Sequence, residues 1–481
     1  IPLNVNDVPI YQSYIDQVTA SPGIEVKAKS KWLNCLHIRG SVADITALTS
    51  FNFVDHIQFA DNSLNAKNAS IKPLAPVNKN LNVQTTFAYG NSANQIQMLN
   101  GHLLHQQNFT GTGKIIAVLD AGFPGVDVAS PFQRLRDNNQ ILGGYNFVDR
   151  NTNVYTNNSH GTLVLSSMGG YVENQLVGTA PDAQYYLFIT EDTASENPVE
   201  ESNWVEAAEE ADRLGVDIIT TSLGYFSYDN PAYSHTYSDM TGNTNFASKG
   251  ANIAFSKGIV VVASAGNEGG TPEPHVGVPA EANDVLAIGA VRPDRTRANF
   301  SSIGPSFDNR IKPDVMAQGQ SCVLSNTNGD IISASGTSFS GPIMAGMIAC
   351  LWQAVPGLSN QAILNLVKQS SDNYATPNEF YGYGIPDFEL ALMNTLLSVE
   401  QSQQSSFTVY PNPIQTNFAI HFSDKTSEAS ILIYNNLGQL ILQNNQIKSD
   451  IPLDISSLSS GIYFYKIEGK NETQTGKLIK N

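Results

Sequence analysis

Asp120, His160 and Ser338 are an acid, a base and a hydroxyl nucleophile, each set among small residues in VLDAG, SHGTLV and SGTSFSGP. A serine hydroxyl attacks well only when an imidazole takes its proton, and a carboxylate behind the ring holds the tautomer that can do so. A trio of this kind performs acyl transfer. Asn267, in VVVASAGNEGG, adds a side-chain amide able to donate to a developing oxyanion.

Each residue also has a plainer use. Asp120 follows the apolar run IIAVL and precedes Gly122, which puts a carboxylate at the carboxyl end of a buried strand; Asp-x-Gly is equally a common turn. His160, followed by Gly161 and the small-residue stretch TLVLSSMGG, is the only one of eight histidines placed at such a helix start; a lone histidine otherwise serves structure or surface. Ser338 opens the apolar helix GPIMAGMIACLWQAV and would make a good N-cap. Gly336 and Gly341 flank it, letting a substrate backbone come close, and the helix start offers N–H groups to an oxyanion. Asn267 suits a left-handed turn. What distinguishes the four is their shared placement, each at a strand end or helix start.

The elements that must position them form an α/β pattern from about 112 to 395. IIAVLD, YYLFIT, VDIITTSLG, IVVVASAGN and VLAIGAV read as fully buried strands, and EESNWVEAAEEADRLG puts Trp204, Ala207, Ala208, Ala211 and Leu214 on one helical face. Strands without a polar side, alternating with helices, predict a parallel sheet covered on both faces, with its site at the carboxyl ends. Before this region lie a predicted helix at Tyr11–Val18, a strand-like stretch at Ile24–Ile38, a short helix at Val42–Leu48 and a strand at Phe53–Phe59. The polar, aperiodic segment 61–83 and the Gln/Ser-rich segment 398–406 read as linkers. FAIHF, ILIYNN, LGQLILQ and GIYFYKI then suggest a small β-sandwich. The expected division is 1–60, a linker at 61–91, 92–397, a linker at 398–406, and 407–481.

Bulk properties exclude several classes. With 43 acidic against 26 basic residues and a net charge of −17, the chain has no basic cluster to follow a nucleic-acid backbone. Its three cysteines, Cys35, Cys322 and Cys350, are too few for a disulfide framework or a repeated Cys-x-x-Cys zinc site; buried thiols are expected, with a Cys322–Cys350 pair left open. No apolar run is long enough for a transmembrane helix. The start at Ile1, without Met or signal peptide, is read as processed or trimmed.

The order Asp120, His160, Ser338, with Asn267 between the last two, resembles that of the subtilisin-like serine peptidases, or subtilases. The likeness covers about 92 to 395 and implies a secreted endopeptidase cleaving proteins through an acyl-enzyme. It also implies that Ser222, Leu223 and Gly224 form an edge for extended substrate, while Ser264, Ala265 and Gly266 wall the pocket for the side chain before the scissile bond. Ala121, Phe339 and Ser340 depart from the residues usual in the family, which leaves pocket shape open. Residues 1–60 resemble the inhibitory propeptide of subtilases, with its first strand expected to be missing before Ile1. YPNP at 410–413, IYNNLGQLI at 433–441, LDISSLSSGIYFYKI at 453–467 and the terminal KLIKN resemble the sorting domain of the type IX secretion system. The expected partners are therefore protein or peptide substrates, the chain's own propeptide and secretion machinery that exports it across the outer membrane. No cofactor is required; structural calcium is admitted by the resemblance without an assigned site. The competing reading is a non-catalytic surface binding protein on the same fold. An α/β-hydrolase is disfavoured because GTSFS lacks the final glycine of Gly-x-Ser-x-Gly and the order differs. His160 likewise disfavours the acid-acting relatives that use Glu at that position.

Overall fold

The structure is a computed structural model that describes residues 5–61, 87–398, 407–422, 429–435, 440–459, 461–469 and 473–480. Seven parallel strands form its main sheet. In spatial order they are Val315–Gln318, Val285–Val291, Val260–Ser264, Ile218–Thr221, Ile115–Asp120, Gln184–Ile189 and Ile141–Asn146. The five strands expected from apolar runs are all present. Ile115–Asp120 is interior, and the chain fills one side of it before crossing to the other at Ile218–Thr221. Their carboxyl ends therefore flank a topological switch point, where crevices open in such sheets.

Alternation along each strand explains the two covered faces. Ile116, Val118, Ile218, Val260 and Val262 join one core cluster with Ile343, Met344 and Met347 of the long helix Thr337–Ala354 and Val164, Leu165 and Met168 of the helix His160–Gly169. The intervening Ala117, Leu119, Ile219, Val261 and Ala263 join the opposite cluster with Trp204, Ala207, Ala208 and Ala211 of Val199–Arg213 and Ala247, Ala251 and Ala254 of Phe246–Ser256. The small residues on this second face allow its helices to lie close to the sheet.

The N-terminal segment belongs to the same compact unit, Ile1–Thr395. The stretch expected as one strand-like run is a hairpin, Glu25–Ser30 against Cys35–Arg39, turned at Lys31–Asn34 with Asn34 at φ 47°. The strand expected at 53–59 is not formed among the described residues; Phe53 instead stacks on Tyr14, ring centroids 4.1 Å apart. Most of the linker expected at 61–91 lies outside the described residues. At its far end the packed body already includes Phe87 and Tyr89.

All three cysteines are free, Cys322 and Cys350 as buried thiols and Cys35 half-buried, so the pair left open by the sequence is not made. No helix of the described residues is long and apolar enough to cross a membrane. The second unit, Leu396–Asn481, has a three-stranded sheet (Phe407–Tyr410, Asn417–Phe422, Leu453–Asp454) and a four-stranded one (Leu440–Ile447, Ala429–Tyr434, Gly461–Glu468, Thr473–Lys480). Phe407, Phe418, Ile420, Ile431, Ile433 and Ile467 share one buried cluster between them, as a sandwich requires.

Candidate active site

Asp120 ends its strand fully buried. Gly122, at φ 146°, makes the turn that follows; a Cβ there would meet the Thr156 carbonyl at 2.2 Å. The helix carrying His160 can approach because position 161 is also glycine, where a Cβ would lie 2.5 Å from the Gly122 carbonyl and 3.0 Å from Asp120 Cβ. The approach places His160 Nδ1 2.7 Å from Asp120 Oδ1, which also accepts from the Ala121 N–H at 2.8 Å. The Asp120 charge raises the imidazole pKa above its ordinary value, and burial only partly opposes it. Among the described residues Nε2 has no hydrogen-bond partner, and the side chain keeps 30% of its exposure.

Ser338 is the second residue of the helix Thr337–Ala354. The cap position belongs to Gly336, so the plainer N-cap use of this serine is not what the fold makes of it. Its hydroxyl stands 3.5 Å from the Ser222 carbonyl, while Ser222 Oγ donates to the Ser338 carbonyl at 2.9 Å. Among the described residues no hydrogen bond joins Ser338 to His160, and the Ser338 N–H is unpaired, as expected in a first helical turn. Catalytic hydrogen bonds are often long without substrate.

Asn267 is exposed in the turn after Val260–Ser264. Its Oδ1 accepts from the Thr337 N–H at 2.9 Å and the Thr337 hydroxyl at 3.1 Å. With the oxygen committed, Nδ2 is the end left to donate. Thr337 is thus a positioning residue that the sequence reading missed; its adjacency to Ser338 in SGTS was the available signal. Ser264 Oγ donates to the Thr337 carbonyl at 2.7 Å and the Gly266 N–H to the Thr337 hydroxyl at 3.2 Å. The structure therefore brings Ser264, Ala265 and Gly266 beside the start of the serine helix. Ser222, Leu223 and Gly224 follow the switch-point strand, passing from buried to exposed.

The parallel sheet thus brings an acid-paired histidine, a helix-start serine and a side-chain amide to its carboxyl ends. Residues 111–384 match the model of the subtilase family, 1–74 that of the peptidase S8 propeptide domain of Bacteroidota, and 408–481 that of the secretion system C-terminal sorting domain. Subtilisin NAT of Bacillus subtilis subsp. natto is 30% identical over 301 residues, 62% of this chain and 70% of that protein. Subtilisin DY of Bacillus licheniformis is 27% identical over 308 residues, 64% of this chain and 98% of that protein. In fold, the chain is similar to MycP1 with its propeptide removed (TM-score 0.50, 22% identity, 62% of this chain and 96% of that one). A MycP3 protease gives TM-score 0.51 at 18% identity, covering 66% and 91%. The chain belongs to the subtilase family. It is a secreted serine endopeptidase with an N-terminal propeptide domain and a type IX sorting domain.

Proposed function

We propose that Asp120, His160 and Ser338 are the catalytic triad and that Asn267 completes the oxyanion hole. The observation that carries this reading is the 2.7 Å contact between Asp120 Oδ1 and His160 Nδ1. It commits one ring nitrogen to the carboxylate and frees Nε2 to act as base. Ser338 Oγ attacks the peptide carbonyl as Nε2 takes its proton, and the imidazolium, stabilised by Asp120, passes that proton to the leaving amine. Water then cleaves the acyl-enzyme by the reverse proton path, with no cofactor needed. The oxyanion is met by the Ser338 N–H and by Asn267 Nδ2. Extended substrate lies along Ser222, Leu223 and Gly224, and its side chain before the cut enters beside Ser264, Ala265 and Gly266.

Asn267→Ala is expected to lower kcat by roughly 10²–10³, a magnitude known from subtilisin itself and not obtained from this geometry. Steady-state kinetics on a peptide substrate checks it. Thr337 would still hold its own helix turn, so binding should change less than turnover. An unchanged kcat would remove Asn267 from the oxyanion hole.

The propeptide is proposed to inhibit the peptidase from the outer face of Val199–Arg213. Glu209 on that helix accepts from Ser30 Oγ at 2.5 Å, the Trp32 N–H at 3.0 Å and the Lys31 N–H at 3.1 Å, while the Lys29 N–H reaches Glu206 at 2.8 Å. Trp32 is buried in the core cluster of that face. Hydrogen bonds to a charged acceptor contribute about 1.5–3 kcal/mol each and are not additive. Glu209→Ala in the mature enzyme should therefore weaken inhibition by added residues 1–74 by roughly 100-fold, equivalent to about 2.7 kcal/mol. An inhibition constant equal to the parent's would rule out this interface as the source of inhibition.

A further inference from the structure

The acid of the proposed triad has partners on one oxygen only. Asp120 Oδ1 meets the His160 ring at 2.7 Å and the Ala121 N–H at 2.8 Å. Oδ2 is fully buried and has no hydrogen-bond partner among the described residues. A charged oxygen in that state is costly in a protein interior. The next residue, Ala121, has no side-chain donor to offer.

The sheet limits where a donor can come from. Ile116 and Val118 turn toward the helices of His160 and Ser338, so Asp120, two residues on, turns the same way. On one side of it Ile189 pairs with Asp120 and Leu187 stands behind, both apolar. On the other side Val118 pairs with Thr220 and Leu119 with Thr221, a register that carries Ser222 opposite Asp120. Ser222 is already committed, its hydroxyl donating to the Ser338 carbonyl at 2.9 Å. Thr220 is the next residue on that face. Its hydroxyl is also fully buried and makes no hydrogen bond among the described residues. Two unpartnered polar groups thus stand one pleat apart on adjacent strands, facing the same pair of helices.

We propose that the Thr220 hydroxyl supports Asp120 Oδ2 through one bridging water, which makes Thr220 a positioning residue for the triad acid. Neighbouring strands lie about 4.8 Å apart and two residues advance about 6.6 Å, so the two α-carbons are separated by about 8 Å. Two short side chains do not meet directly across that span, whereas one water hydrogen-bonded to each closes it. The hydroxyl donates to the water and the water donates to the carboxylate. Donors then converge on both acid oxygens, and the carboxylate keeps its charge and its aim while His160 gains and loses a proton. This role rests on the triad proposed above.

Few other charges bear on the pair. The helices His160–Gly169 and Thr337–Ala354 carry no charged side chain besides His160, and the strands Ile218–Thr221 and Gln184–Ile189 carry none. Asp120 is the charge that raises His160. The nearest further acid is Glu191, which feels the Asp120 charge and accepts from the Tyr225 hydroxyl at 2.6 Å.

The test measures kcat/KM against pH on a peptide substrate, with enzyme obtained from the full chain. Thr220→Val keeps the side-chain shape and removes the donor. An Asp120 charge with less support gains more from a protonated His160. The rising limb should therefore move to higher pH by about half a unit, roughly 3-fold in kcat/KM at a fixed pH on the limb. Thr220→Ser should return the limb to the parent's position. Added to Asp120→Asn, Thr220→Val should give no further shift, because the neutral amide leaves no charge to support. If Thr220→Val does not fold, Thr220→Ala carries the same comparison. Lost packing alone would change Tm or the plateau and leave the limb where it was. A limb in the parent's position without the hydroxyl, or an equal shift with and without the Asp120 carboxylate, would overturn the role given to Thr220 while leaving the triad intact. A limb that Asp120→Asn itself leaves in place would instead remove the triad acid, and the Thr220 role with it.

Discussion

Ser338→Ala is expected to remove peptide hydrolysis, by about 10⁶-fold in kcat, a magnitude known from subtilisin itself and not from the present geometry. The residual rate is what binding and the oxyanion hole supply alone. The fold should survive, because Ser338 is not the helix cap and its hydroxyl makes only a 3.5 Å contact with the Ser222 carbonyl. The tie that holds this region, Ser222 Oγ to the Ser338 carbonyl, uses main chain that alanine retains. Turnover on a peptide substrate and a thermal unfolding curve measure the two halves of this expectation. Parent-like turnover would remove the nucleophile assignment; loss of the folding transition would show that the hydroxyl is structural.

Asp120→Asn is expected to cost roughly 10⁴ in kcat near neutral pH, by analogy with the corresponding change in another serine-protease fold. Asparagine can present its amide to Nδ1 and favour the wrong tautomer, so Nε2 no longer accepts the serine proton. The pH profile carries a separate signature. Asp120 is the main cause of the raised His160 pKa, and only neutral His160 can act as base. In the parent, kcat/KM should therefore rise with pH along a limb lying above the ordinary histidine value, and in Asp120→Asn that limb should move to lower pH. The stability linkage has the opposite sense. A histidine whose folded pKa is raised stabilises the fold fully below its unfolded pKa, and that contribution is lost as pH rises through the folded value. The enzyme thus works in the range where the His160–Asp120 ion pair no longer adds to stability. A limb in the same position in parent and variant would show that Asp120 does not set the His160 pKa.

Much of the proposed site was legible because each member ends an element in a way that leaves a mark. Asp120 closes the apolar run IIAVL, His160 opens a helix of small residues, and Ser338 stands in the first turn of an apolar helix of 18 residues. Glycine spacing carried further information, since Gly122 and Gly161 stand where backbones meet. Two strands of the main sheet were not legible. Ile141–Asn146 contains two adjacent glycines, and Val315–Gln318 has only four residues, so neither presents a sustained apolar run. At 53–59 the sequence suggested a strand, but strand formation needs a partner ladder, and there the aromatic rings pack locally instead. The Thr337 clamp on Asn267 depends on convergence in space: adjacency to Ser338 marks Thr337 in the sequence, but nothing there marks which asparagine it holds. Separate family models match residues 1–74, 111–384 and 408–481.

The central claim is that Ser338 is the one activated serine of this chain. Treating the mature enzyme with a serine-directed phosphonylating reagent and mapping the adduct by mass spectrometry tests it most directly. One phosphonyl group on Ser338, with activity lost in proportion to labelling and no adduct formed in Asp120→Asn over the same time, is the predicted result. Full peptidase activity with Ser338 unlabelled, or inactivation that tracks an adduct on a different residue, would contradict it.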